Sequence, residues 1–137
     1  MCDFFEAPAG GGFEAKGCGP EGVKQTIKPD TTVQLSVSCF NMGSRDWPVG
    51  EVLLGACCPL GSASALIAWR DSWLSDRYYA QMTTSVAAGS NGTAVFNVHA
   101  PKDAVPGDYH FDGILTLKST GAPIAGGAFS IVVAVAR

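Results

Sequence analysis

Alternation of apolar and polar residues predicts four β-strands in this chain. In residues 31–40 every second position is apolar, namely Val33, Leu35, Val37 and Cys39. Residues 93–99 repeat the pattern with Ala94, Phe96 and Val98. A strand from Tyr109 continues through Phe111, Gly113, Leu115 and Leu117, and residues 128–136 carry Phe129, Ile131, Val133 and Val135. One side of such a strand packs inward, and the other meets water or a partner.

The bend before the third of these strands contains Pro101, Pro106 and Gly107. A Pro-Gly turn, one polar residue and then Tyr109 resembles the corner that introduces a late strand in immunoglobulin-like and fibronectin-like sandwiches. The resemblance implies that the Tyr109 hydroxyl donates a hydrogen bond to a backbone carbonyl of residues 103–107.

Weaker patterns fill in the rest of the fold. Residues 23–28 predict a first strand, and residues 52–54 are an apolar run. Residues 65–73 and 78–86 are expected to form a hairpin through a turn at 74–77, with a short helix over 64–74 as the alternative. Seven or eight short strands favour an all-β, immunoglobulin-like antiparallel sandwich over residues 23–137, with a jelly roll left open.

Residues 1–22 have a different composition, with six glycines and three phenylalanines and no period. Such a segment cannot build a core of its own. We therefore expect an extended N-terminal arm, anchored by Phe4, Phe5 and Phe13 on a neighbouring subunit. The alternative is an arm folded back on its own domain by a Cys2–Cys18 loop.

A second resemblance rests on an ordered set of short motifs: Asn41, Gly43, Trp47-Pro48 and Gly50, followed later by Ala100-Pro101 and Gly107-Asp108-Tyr109. This order resembles an immunoglobulin-like module of bacteria and of the autophagy receptor next to the breast-cancer gene. The resemblance spans residues 33–135 and implies the fold. At residues 111–114 the chain lacks the aromatic pair of that family, so no peptide-binding role is implied.

Composition argues against two kinds of partner for this chain. Its 137 residues suit one domain, and a net charge of -3 with 15% charged residues gives no attraction to nucleic acid or to an anionic membrane. The N-terminus lacks the basic start and apolar run of a signal peptide, so we expect either a chain made in the cytoplasm or a mature form whose signal has been removed. No apolar run is long enough to span a membrane.

The five cysteines are Cys2, Cys18, Cys39, Cys57 and Cys58, so complete pairing within one chain is impossible. We take Cys2, Cys18, Cys57 and Cys58 as candidates for disulfides within or between chains, and expect Cys39 to point into the core. Buried thiols that act as small hydrophobic side chains are the alternative.

The chain shows no pattern for catalysis, a metal or a cofactor. His99 and His110 lie on the polar sides of predicted strands, and the adjacent Cys57 and Cys58 lack the spacing of a zinc site. Four large aromatic residues are a candidate surface for sugar or protein binding: Trp69, Trp73, Tyr78 and Tyr79. Core packing of at least two of them is the alternative.

These features predict a non-enzymatic structural protein of a larger homo-oligomeric assembly. A sandwich with an ordered arm and no signal peptide resembles the decoration or cement proteins of tailed-phage heads. The resemblance implies a virion protein held by its arm and by interchain disulfides, with a major capsid protein as partner. The alternatives are a secreted or surface-displayed module that binds carbohydrate or protein, and an extracellular filament subunit.

Overall fold

A computed structural model of the chain describes residues 9–20, 25–56, 67–71, 73–75, 77–82 and 84–136. Nine strands account for most of them: β1 (Ala9–Pro20), β2 (Gln25–Ile27), β3 (Thr32–Asn41), β4 (Val52–Ala56), β5 (Arg70–Asp71), β6 (Tyr78–Gln81), β7 (Asn91–His99), β8 (Gly107–Leu117) and β9 (Pro123–Val135). A 3₁₀ turn, Ile67–Trp69, precedes β5. The expected all-β class is confirmed.

The strands follow one hydrogen-bonded path in the order β5-β7-β3-β1-β9-β8-β4-β6, and β2 pairs with β9. This path curls into two layers, because β1 pairs antiparallel with β3 and parallel with β9. Tyr79 of β6 stacks on Phe96 of β7 with 4.8 Å between the ring centroids, so the apolar sides of the two layers meet. The result is a β-sandwich with one core.

The core confirms the apolar positions that alternation predicted. Leu35, Val37, Phe96 and Val98 fill it from one layer, and Phe111, Leu115, Ile131 and Val133 fill it from the other. Phe111 is 0% exposed. Val33 and Tyr109 are half-buried and pack against its margin.

The predicted corner is also present. The Tyr109 hydroxyl donates a hydrogen bond to the Val105 carbonyl oxygen at 2.5 Å. Its ring lies 4.6 Å from the Trp69 ring, centroid to centroid. The hydroxyl therefore fixes the bend while the ring joins the margin of the core.

The Asn41 motif has a physical basis in this fold. Asn41 is fully buried, and its amide nitrogen donates to the carbonyls of Arg45 and Val86 at 2.9 and 3.1 Å. Its amide oxygen accepts from the Gly43 N–H at 3.1 Å. One side chain thus closes the loop that leads to Trp47, which forms a two-way backbone bridge with Val86.

The predicted hairpin of residues 65–73 with 78–86 is wrong. β5 pairs with β7, whereas β6 pairs with β4, so the two segments lie in opposite layers. The alternative helix is reduced to the turn at Ile67–Trp69 among the described residues. The chain crosses from one layer to the other between β5 and β6. We attribute this crossing to burial, because it lets the rings of Trp73 and Tyr79 contact each other edge to face between the layers, with 4.8 Å between their centroids.

The predicted arm is wrong over residues 9–20. Ala9–Pro20 is strand β1, paired in both layers, and Phe13 is 8% exposed within the core of its own chain. The sandwich therefore begins before the predicted boundary at residue 23. The rest of the predicted arm, including Cys2, Phe4 and Phe5, lies outside the described residues.

Candidate functional site

The outer side of β3 and β7 forms the longest regular surface among the described strands. Continuous register sets Thr32 opposite His99 at one end and Phe40 opposite Asn91 at the other. We call this surface the polar face, and its ten residues are Thr32, Gln34, Ser36, Ser38, Phe40, Asn91, Thr93, Val95, Asn97 and His99. All ten are exposed or half-buried, because the alternate residues of both strands face the core.

The polar face is chemically uniform in its middle. Gln34, Ser36, Ser38 and Asn97 are uncharged, and their side chains form no hydrogen bond with other described residues. Val95, opposite Ser36, is 47% exposed. Removing such a surface from water costs less than burying charge, and each amide or hydroxyl can both donate and accept.

Charge flanks the face at both ends, and Asp71 of β5 lies opposite Asn97. At one end Lys16 of β1 lies opposite Phe40, with its Nζ 5.5 Å from the ring centroid. At the other end His99 Nε2 lies 3.0 Å from Asp30 Oδ1. Thr32 Oγ1 lies 2.7 Å from His99 Nδ1.

The Asp30, His99 and Thr32 group has the connectivity of a catalytic triad, but its setting favours a structural role. Thr32 and Asp30 are exposed, and each polar group already satisfies its neighbour. Asp30 has φ 61°, and its N–H donates to the Ala100 carbonyl at 2.9 Å. The group therefore ties a left-handed turn to the end of β7.

The two histidines are not brought together. His99 belongs to β7, whereas His110 is exposed on β8 of the other layer. The expectation that both lie on the polar sides of strands is confirmed. The partners of His99 were not foreseen, because Asp30 and Thr32 are 69 and 67 residues away and no local signal connects them.

The predicted aromatic surface is wrong for three of its four members. Trp69, Trp73 and Tyr79 are buried in the core, and Tyr78 is half-buried. Trp73 Nε1 donates to the Asn97 carbonyl at 2.7 Å, and the Tyr79 hydroxyl donates to the Asp112 carbonyl at 3.0 Å. Their polar atoms are satisfied inside the sandwich, as the alternative of core packing anticipated.

The cysteines are only partly described. Cys18 of β1 forms a disulfide with Cys39 of β3, so the pairing of Cys18 with Cys2 or with another chain is wrong. Cys39 points inward, as expected. Cys2, Cys57 and Cys58 lie outside the described residues. Three cysteines then remain, so at least one is a thiol or is bonded to another chain.

Within the described part of the chain, no group of three or more His, Cys, Asp or Glu side chains could hold a metal ion. The same residues contain no helix long and apolar enough to cross a membrane.

Known structures with a similar fold include the CARDB domain of the PF1109 protein from Pyrococcus furiosus, crystallised in complex with di-metal ions. It matches with a TM-score of 0.54 and 13% identity, over 90% of this chain and 94% of that chain. The solution structure of the same domain matches with a TM-score of 0.52 and 13% identity, over 89% and 94%.

A family 123 glycoside hydrolase from Clostridium perfringens has a TM-score of 0.41 and 13% identity over 81% of this chain and 22% of that chain, too low a score to carry an argument. No family model matches the sequence, and no curated protein matches it. The CARDB likeness does not bear on the resemblance to phage decoration proteins. It shows the fold alone, which is an immunoglobulin-like β-sandwich.

Proposed function

We propose that this chain is a non-enzymatic structural subunit of a larger homo-oligomeric assembly, and that the assembly is a virion on which it serves as a capsid decoration protein. The observation that carries the proposal is the polar face, a long regular surface whose middle side chains Gln34, Ser36, Ser38 and Asn97 are uncharged and form no hydrogen bond with other described residues. Such a surface offers many groups that can both donate and accept hydrogen bonds, and contact with another protein would bury little charge.

The cysteines also support an assembly. A disulfide between Cys18 and Cys39 is typical of a protein that meets oxidising conditions. The odd remainder among Cys2, Cys57 and Cys58 leaves a thiol or a bond to another chain. A particle assembled in a reducing cell and later released would provide both.

The position of β1 changes how the arm must be tested. Removing residues 1–21 would delete a strand of the sandwich together with Phe13 and Cys18. The useful truncation removes residues 1–8, which carries away Cys2, Phe4 and Phe5 and leaves β1 whole.

The experiment is sedimentation of the protein recovered from its producing organism, followed by non-reducing gels of the particle fraction. We expect the chain to sediment with large particles in many copies and to show bands larger than one chain that collapse with reductant. The 1–8 truncation should fold normally and bind its particle more weakly. Recovery of the intact protein as a single chain outside any particle would reject the proposal.

The binding-module alternative has less support. Of its four aromatic residues, Trp69, Trp73 and Tyr79 are buried in the core. We therefore propose no second function.

A further inference from the structure

We infer that the disulfide between Cys18 and Cys39 is a redox-sensitive switch for the second half of β1, residues 16–20. Reduction frees this half from β3, and oxidation closes it again, while the rest of the sandwich keeps its structure. The inference goes beyond the proposed function and does not depend on it. It follows from the different ways in which the two halves of β1 are held.

The first half of β1, residues 9–15, is held from several sides. Phe13 and Ala15 are buried in the core. The Gly12 carbonyl accepts a hydrogen bond from the Ser44 N–H at 3.0 Å. Both of the described pairs between β1 and β9 also lie in this half. These contacts do not need a covalent bond to keep the first half in place.

The second half is held by β3 and by the disulfide. Its ladder with β3 is interrupted, because the register shifts between Lys16 and Gly19. An added Cβ at Gly17 or Gly19 would meet no heavy atom within 4 Å, so neighbouring side chains do not pack against these positions. Lys16 Nζ lies 5.5 Å from the Phe40 ring centroid, a contact that is weak at an exposed site. Among the described side chains of this half, only that of Cys18 packs against the core.

The two sulfur atoms differ in their access to a reductant. Cys18 is half-buried, whereas Cys39 is 1% exposed. Thiol–disulfide exchange requires a thiolate to approach one sulfur of the bond, so its rate depends on access. We therefore expect attack at the Cys18 sulfur.

Reduction by a dithiol then takes two exchange steps. In the first, a thiolate of the reductant bonds to the Cys18 sulfur, the bond between the two cysteines breaks, and its electron pair leaves on the Cys39 sulfur, which takes up a proton. In the second, the other thiolate of the reductant attacks the reductant sulfur of the mixed disulfide, and Cys18 leaves and is protonated. The chain gains two electrons and two protons, and the dithiol becomes a cyclic disulfide.

Without the bond, the second half keeps only an interrupted ladder and one weak exposed contact. Opening such a segment costs less free energy than unfolding the sandwich. The opening uncovers the edge of β3 at residues 37–40, which residues 16–20 otherwise cover. An uncovered strand edge can pair with another chain, so oxidation also protects this edge. A chain made in a reducing cell would keep the edge open until it met oxidising conditions.

The test is amide hydrogen exchange of the full chain, read residue by residue by NMR before and after treatment with dithiothreitol. After reduction the amides of residues 16–19 should exchange about tenfold faster or more, and those of residues 12–15 should change by less than about twofold, because exchange reports local opening. In the reduced chain iodoacetamide should modify Cys18 about tenfold faster than Cys39, because a buried thiol reacts slowly.

The control is a chain with both Cys18→Ala and Cys39→Ala, which lacks the bond and keeps the other three cysteines. Its residues 16–19 should exchange rapidly with and without dithiothreitol, so an effect of the reductant on this control would come from those three cysteines. Unchanged exchange at residues 16–19 of the reduced native chain overturns the inference. Equal acceleration in both halves of β1 also overturns it, because the bond would then stabilise the sandwich as a whole. Both results use the native chain, so they stand even if the control does not fold, and sedimentation with particles is independent of them.

Discussion

Strands β1 and β3 are neighbours joined by a disulfide, yet they are built in different ways. In β3 inward and outward residues alternate without interruption, and its register with β7 is continuous over nine pairs. In β1 the register shifts between Lys16 and Gly19 against β3, and again between Ala9 and Glu14 against β9. Side chains specify β3, whereas backbone packing specifies much of β1.

Glycines explain why backbone packing, rather than side chains, specifies much of β1. Gly12 and Gly17 of β1 have φ of 91° and 65°, which side chains rarely adopt. Gly126 of β9 approaches β1 so closely that an added Cβ would lie 2.0 Å from the Ala15 carbonyl oxygen. A strand held by such approaches does not need an apolar period, so a search for alternation misreads it as an arm.

The first prediction tests the region that side chains specify. Phe111→Ala removes a fully buried ring that contacts Trp69 and Trp73, and should lower the free energy of unfolding by about 3–5 kcal/mol. Urea unfolding followed by tryptophan fluorescence measures the change. Tyr109 shares its face but lies at the margin, so Tyr109→Ala should cost less. Equal costs at the two sites would contradict the placement of Phe111 in the core and Tyr109 at its margin.

The second prediction tests the bond between the two strands. Changing both Cys18 and Cys39 to Ala should lower the free energy of unfolding by about 3 kcal/mol, because a crosslink over a separation of 21 residues restricts the unfolded chain. Hydrogen exchange should rise more in β1 than in β3, since β3 keeps its full pairing with β7. Equal loosening of both strands would contradict the difference drawn between them.

The third prediction tests the glycine contacts of β1. Gly126→Ala combines a φ of 77° with an approach to the Ala15 carbonyl, and should cost about 2–3 kcal/mol while loosening β1. Gly121→Ala is the matched control, since its φ is 73° and nothing lies within 4 Å of an added Cβ. The control isolates the backbone cost, about 1–2 kcal/mol. If both variants lost the same stability, the close approach of Gly126 to the Ala15 carbonyl would contribute nothing to the cost of the substitution.

The same contrast explains which features of the fold could be predicted from the sequence. The alternating strands, the core residues Phe96 and Phe111 and the Tyr109 corner were predictable, because each has a local pattern. The pairing of β5 with β7 and of Cys18 with Cys39 was not predictable, because both depend on the path of the chain between distant segments.

For the candidate site, the sequence predicted only that one side of a strand meets water or a partner. The outward residues of β3 and β7 were visible separately in the sequence. Their union into one face depends on register, and its charged ends come from Lys16 and Asp30, which lie outside the two strands. The buried aromatics were misassigned because residues 65–86 lack a period that separates core from surface.

The smallest effect concerns a feature that sequence and structure share. Tyr109→Phe removes the hydroxyl that donates to the Val105 carbonyl and keeps the ring beside Trp69, so it should cost about 1 kcal/mol. Urea unfolding measures the loss. Tyr78→Phe, at a half-buried tyrosine of β6, is the control. The cost should appear chiefly as faster hydrogen exchange in residues 103–107, because the hydroxyl fixes that bend. An unchanged bend together with the full loss of stability would assign the hydroxyl to the core instead, and would show that the corner does not depend on its hydrogen bond.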